Sequence, residues 1–289
     1  MRKTALAAGG FALVLGLTAC GGGETEGKAE PFGSVQELVQ AAMTGTQENQ
    51  TANFTLSMDA AGEKVEAEGA GRFETENPAL MMTGQMEGEA VELRFIGDEM
   101  YIKGGGGFGD MPEMQGKEWL KIGGDASDPM SRMLGPMFQK MGQQMDVSKS
   151  LEKVREAGTI TNSERTELDG QAATHYWVDL DLAKVMEIQM KEIKDQLPPG
   201  MEGELDNLDQ QFDAEKKAEL EKMGPMPLEL WLNERQLPLK IVMDVTAMAK
   251  AQGQPDQGGS MVVRYTDWGS PVDISPPPAD KVGTIEMPR

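Results

Sequence analysis

The chain of 289 residues contains one cysteine and one histidine, and this scarcity excludes several kinds of site. Cys20 alone cannot form an intrachain disulfide, and His175 alone cannot build a His–Cys or His–His metal site. A serine triad would have to use His175, and no G-x-S-x-G motif accompanies it. Catalysis by a serine or a carboxylate remains an alternative, but no motif in the sequence supports it. We therefore predict that the chain is not an enzyme and holds no cofactor.

Positive charge is also scarce. Lys and Arg together number 27 against 48 Asp and Glu, so the formal net charge is −21 at pH 7. A chain this acidic repels nucleic acid and anionic lipid headgroups. We predict no nucleic-acid partner, and any attachment to a membrane must come from a lipid rather than from a basic patch.

No apolar run is long enough to span a bilayer. Near the start, Arg2 and Lys3 precede a short apolar segment, Ala5–Leu17, and small residues then lead to Cys20. This pattern is typical of a bacterial lipobox, although an ordinary signal peptide with an incidental cysteine is the alternative. We predict a signal peptide over residues 1–19, a lipid on Cys20, and a chain held at the outer face of the cell membrane.

The residues that follow predict one α+β domain. Gly and Glu dominate residues 20–33, which predicts a flexible tether that reaches at most ~40 Å. Ser34 is a candidate N-cap for a short helix that ends near Gly45. Apolar and charged residues then alternate over about ten segments, with helical periodicity between them. We predict a large curved antiparallel sheet, wetted on one side, with helices covering its apolar face over residues 34–280 and a tail at 281–289.

Three polar features favour structural roles. Alternation places His175 and Trp177 on the outer side of a strand, away from the apolar face. The glycines at 104–107 lack the Gly-Lys-Ser/Thr of a phosphate loop. The acidic stretch 202–213 lacks the ligand spacing and the glycine of a calcium loop. None of these features predicts a ligand.

Methionine is abundant, with 23 residues, and five of them lie in the stretch PMSRMLGPMFQKMGQQM at 129–145. On a helix these five fall on one face, so the stretch predicts an amphipathic segment that Pro136 kinks or restarts. Thioethers are also soft ligands that suit Cu(I). His175 is far away in sequence and the other methionines are scattered through strands, so we predict no metal site.

The chain resembles the LolA-like superfamily, and more specifically the LppX/LprG-type lipoproteins of actinobacteria. The similarity lies in the lipobox, in the one-sided strands and in motifs near both middle and end, namely DG at 169–170, THY at 174–176, LPLKIV at 237–242, YTDWG at 265–269 and PVDI at 271–274. The resemblance implies a half-barrel whose concave side, capped by helices, encloses an apolar cavity for acylated lipids.

Two functions follow as hypotheses. In the first, the protein binds or carries lipids or lipidated molecules in such a cavity. In the second, the interior is packed and the lipoprotein interacts with another envelope protein. An apolar void of several hundred Å³ would favour the first. The pattern assigns the following residues to the cavity: Phe54, Leu56, Met58, Leu93, Phe95, Met130, Met133, Leu134, Met137, Phe138, Met141, Leu230, Ile241 and Met243.

Overall fold

The computed structural model describes residues 30–60, 63–74, 77–86, 88–104, 116–124, 147–196, 214–251 and 258–284. Cys20 lies outside these residues, as do the predicted signal peptide and almost all of the tether. The methionine-rich stretch 129–145 lies outside them too, with its six predicted cavity residues Met130, Met133, Leu134, Met137, Phe138 and Met141.

Twelve strands of the described chain form one open, curved sheet. Their order across the sheet is β12-β6-β5-β4-β3-β2-β1-β11-β10-β9-β8-β7. All neighbours pair antiparallel except β12, which pairs parallel with β6. The strands are β1 (Thr51–Ala60), β2 (Glu63–Arg72), β3 (Ala79–Met86), β4 (Glu89–Ile96), β5 (Glu99–Lys103), β6 (Trp119–Gly123), β7 (Gly158–Leu168), β8 (Gln171–Leu180), β9 (Met226–Asn233), β10 (Pro238–Asp244), β11 (Gly259–Thr266) and β12 (Val282–Thr284).

The predicted fold class is confirmed, although the predicted strand number of about ten is too low. Strand β12 has only three residues and lies in the segment predicted as a tail. Three residues are too few to show a period of two, so pairing with β6 rather than local pattern makes this strand.

Five α-helices occur in the described residues: α1 (Val35–Glu48), α2 (Val147–Ala157), α3 (Leu182–Gln196), α4 (Ala214–Met223) and the short α5 (Thr246–Ala251). Ser34 caps α1 as predicted, since its side chain accepts a hydrogen bond from the backbone N–H of Glu37. The helix continues past Gly45, its predicted end. A Cβ at Gly45 would lie 3.0 Å from the carbonyl oxygen of Arg235, so this glycine permits close packing on the β9–β10 turn.

The main core lies between the inner face of the sheet and the first helices. Helix α1 buries one stripe against it, with Leu38, Val39 and Ala42 fully buried. Strand β9 presents Leu228, Leu230 and the other even-numbered residues to the same core. Helix α1 also contacts α2, which contacts α3. Among the described residues, no helix has the length and apolarity needed to cross a membrane.

The residues after β11 form a strap on the outer face of the sheet. Ile274 is buried against Ala70 and Ala79 there. A guanidinium N–H of Arg94 donates a hydrogen bond to the carbonyl oxygen of Ser275 at 2.7 Å. The strap then continues into β12, which covers the edge of β6. A covered edge has no free backbone groups to pair with another chain.

We expect Gly69→Ala to destabilise the protein. A Cβ at this position would overlap the carbonyl oxygen of Met81 and would lie 2.6 Å from the ring of Phe54. Overpacking of this kind costs about 1–3 kcal/mol of unfolding free energy, measured by urea denaturation. The control is Gly33→Ala, where the added Cβ has no neighbouring atom within 4 Å. Equal stability of the two variants would contradict this packing.

Candidate functional site: an apolar cavity between sheet and helix

A cavity of about 170 Å³ lies between the inner face of the sheet and helix α2. Six strands or their ends supply one wall, and α2 supplies the other. No charged side chain contributes to it. The lining residues are Phe54, Leu56, Phe73, Leu80, Met82, Ser150, Leu151, Val154, Leu228, Leu230, Ile241, Met243, Met261, Val263 and Tyr265.

Strand alternation explains why these side chains meet. Leu228 and Leu230 on β9 are two residues apart, as are Ile241 and Met243 on β10, so each pair points to one face. The register then sets β10 beside β9 and β11, with Ile241 opposite both Leu230 and Val263. An apolar row therefore runs across the strands beneath α2.

Five residues that the sequence assigned to a cavity line this one, namely Phe54, Leu56, Leu230, Ile241 and Met243. Phe95 and Leu93 are in the main core but do not line the cavity. Met58 lies beside the lining residue Met261 in the register. The pattern missed the α2 residues Leu151 and Val154, whose helical spacing is visible in the sequence but whose docking position is not.

One end of the cavity is closed by packed aromatic rings. Phe54 and Tyr265 have ring centroids 6.5 Å apart, and Trp268 lies 5.4 Å from Tyr265 and 5.7 Å from Phe73. The indole N–H of Trp268 donates a buried hydrogen bond of 2.7 Å to the carbonyl oxygen of Pro238. Tilted aromatic contacts of this kind make a stable wall.

The opposite end is less covered. Met243, Met261 and Met58 are half-buried on the inner face, and Val65 beyond them is 49% exposed. The register places these four side by side on strands β10, β11, β1 and β2. An apolar surface therefore continues from the cavity to the ends of these strands.

The cavity is smaller than the several hundred Å³ that would favour lipid binding over a packed interior. Ligand pockets commonly measure about 300–1,000 Å³, whereas an apolar cavity of about 150 Å³ accommodates a benzene-sized group. The described void of about 170 Å³ therefore matches the end of one hydrocarbon chain rather than a whole lipid.

The outer face of the sheet carries a second cluster, built around His175 on β8. His175 is 6% exposed, and its ring stacks on Trp231 with centroids 3.8 Å apart; the ring centroid of Trp177 lies 3.6 Å away. The ammonium group of Lys240 lies 4.3 Å from the ring centroid of Trp231. The predicted outer position of His175 agrees with this arrangement, but its burial was not predicted because Trp231 reaches it from another strand.

Opposing effects act on the charge of His175. Its Nε2 lies 2.8 Å from a carboxylate oxygen of Glu229 without an aligned hydrogen bond, and Glu164 lies 3.9 Å from Nδ1. Burial lowers the pKa of His175, the two carboxylates raise it, and Lys240 lowers it. Burial is the largest effect, and the pKa lies below its ordinary value. The described residues contain no group of three or more His, Cys, Asp or Glu that could hold a metal ion.

No protein-family model matches the chain, and no curated protein matches it. Among solved structures, LprF from Mycobacterium bovis is similar, with a TM-score of 0.44 and 16% identity over 84% of this chain and 96% of LprF. The MucA/MucB complex of Pseudomonas aeruginosa is similar with a TM-score of 0.36 and 11% identity, over 82% of this chain and 58% of the matched chain.

We expect the single histidine to titrate below its ordinary pKa of 6.5 in the folded protein. The unfolded chain then binds more protons than the native state between the two pKa values. The contribution of His175 to the free energy of unfolding is therefore fully present above about pH 6.5. It is lost as the pH falls through the lower pKa of the folded state.

Proton NMR of the imidazole gives the folded pKa directly, because the chain has one histidine. Urea denaturation across the same pH range gives the stability, and His175→Gln should remove the histidine's share of the pH dependence. A folded midpoint above 6.5 would show that the charge of Glu229 outweighs burial.

Proposed function

We propose that this chain is a lipid-anchored protein of the cell envelope that binds the apolar part of a lipid or of an acylated molecule. The observation that carries the proposal is the uncharged cavity beneath α2. Its polar lining groups belong to Ser150 and Tyr265, and every other lining side chain is apolar. Such a surface favours hydrocarbon over polar ligands and does not select among lipid headgroups.

The driving force would be burial of methylene groups. Each buried CH₂ contributes about 0.8 kcal/mol, so a few methylenes seated in the cavity give measurable affinity. The half-buried side chains of Met58, Met243 and Met261 and the exposed Val65 lie next to it and would cover further methylenes of the same chain. Methionine is suited to this task because its flexible, polarizable side chain adapts to ligands of different shape.

The proposed anchor is a lipid on Cys20, which would hold the protein at the outer face of the membrane. Phe32, near the end of the predicted tether, already contacts the domain, because its backbone N–H donates to the hydroxyl of Tyr176 at 3.1 Å. The two rings also stack with centroids 6.3 Å apart. This contact fixes the start of the domain.

A second function is favoured by the modest volume of the cavity. At about 170 Å³ the described void is smaller than most ligand pockets, which fits a lipoprotein whose interior is largely packed and whose partner is another envelope protein. Ligand binding by the cavity distinguishes the two functions.

We expect Val263→Trp to weaken binding of an acyl ligand about tenfold or more, equivalent to about 1.4 kcal/mol. Val263 lines the cavity, and an indole in its place would occupy the space of the ligand. The measurement is titration of a fluorescent fatty acid into the Cys20→Ser protein, which needs no detergent.

The matched control is Val262→Trp. Val262 precedes Val263 on β11, is half-buried, and points to the outer face. This variant should bind the fatty acid like the parent protein. Equal weakening in both variants would argue against binding in the cavity, and absence of binding by the parent protein would favour the interaction function.

A further inference from the structure

We propose that Met243, Met261 and Met58 form a binding site for a soft monovalent metal ion, Cu(I), at the less covered end of the cavity. The sequence alone predicts no metal site, because these methionines are scattered along the chain. The sheet brings them together. Met261 on β11 is the direct register partner of both Met243 on β10 and Met58 on β1.

The register places the three side chains on the same face. Met243 and Met261 both line the cavity. Met58 follows the lining residues Phe54 and Leu56 at intervals of two, so it points to the same side. Directly opposed residues of antiparallel strands have Cβ atoms about 4.5–5.5 Å apart. The flexible side chains of neighbouring methionines can therefore bring their sulfur atoms together on one ion.

The chemistry of three thioethers selects a soft ion. Cu(I) prefers sulfur ligands, whereas Mg²⁺ and Ca²⁺ prefer oxygen. A thioether also has no proton to lose, unlike cysteine or histidine, so its metal affinity does not depend on deprotonation. On the oxidising outer side of a cell, paired thiols form disulfides, whereas thioethers stay available as ligands at this oxidation level.

The surroundings of the three methionines allow an ion to enter. All three methionines are half-buried rather than fully buried in the core. Asp59 and Asp244 directly follow Met58 and Met243, and the whole chain has a formal charge of −21. A negative potential of this kind attracts cations to the protein. His175 lies on the opposite face of the sheet, so we assign it no part in the site.

The experiment is a titration of the protein with Ag(I), a redox-stable substitute for Cu(I), in competition with a chelating dye and without acyl ligand. The parent protein should bind Ag(I), and Met261→Leu should weaken the binding by at least about 10- to 100-fold, the range seen for loss of an outer-shell partner. Leucine has nearly the volume of methionine, so the fold should be kept. Met58→Leu removes a second of the three methionines and should weaken Ag(I) binding as well.

The matched control is Met82→Leu. Met82 lines the same cavity, but its register partners are Gly69 and Leu93, so it has no methionine directly beside it. Its loss should leave Ag(I) affinity unchanged. The affinity of the parent protein should also stay constant between about pH 7 and pH 5, where a histidine ligand would become protonated. X-ray absorption of the Cu(I)-loaded protein should show sulfur ligands alone.

Three results would overturn the site: equal Ag(I) affinity in the parent and Met261→Leu proteins, an equal loss in Met82→Leu, or nitrogen and oxygen ligands around Cu(I). Because no acyl ligand is present, these results bear on the metal site alone. The proposed lipid binding is tested separately by the fatty-acid titration.

Discussion

The structure depends on one constraint, which is that the apolar faces of its strands all point to the same side and have to be covered. Alternation with a period of two separates Leu228 and Leu230 from Glu229 between them. Helix α1 covers its part of this face closely, since Leu38, Val39 and Ala42 have no exposed surface. Helix α2 covers the neighbouring part less completely and leaves the cavity. Where covering is complete the protein has a core, and where it is incomplete it has a candidate site.

The same alternation separates polar from apolar chemistry. On strand β8, Tyr176 packs in the core and the neighbouring His175 belongs to the outer cluster, because successive side chains of a strand point to opposite faces. The cavity lining thereby carries no charge, while the outer face holds a buried imidazole in contact with two indoles and close to Glu229. An uncharged interior suits ligands without polar groups, and thioethers are the softest metal ligands at its less covered end.

Local pattern predicted much of this fold, because strand alternation and helix capping are properties of short segments. The cap at Ser34 and the inward direction of Phe54 and Leu230 followed from residues nearby in sequence. Features that depend on contacts between distant segments could not be predicted in this way. The docking of α2, the pairing of β12 and the alignment of Met58 with Met261 are set by tertiary packing and register.

The central claim, that an acyl chain lies between the sheet and α2, is tested most directly by NMR. A fatty acid labelled with ¹³C along its chain would be added to protein with labelled methyl groups. We expect nuclear Overhauser contacts from the chain to the methyl groups of Ile241, Val263 and Leu151, which line the cavity. Contacts to Val242 and Val262 on the outer face, or no contacts at all, would contradict it.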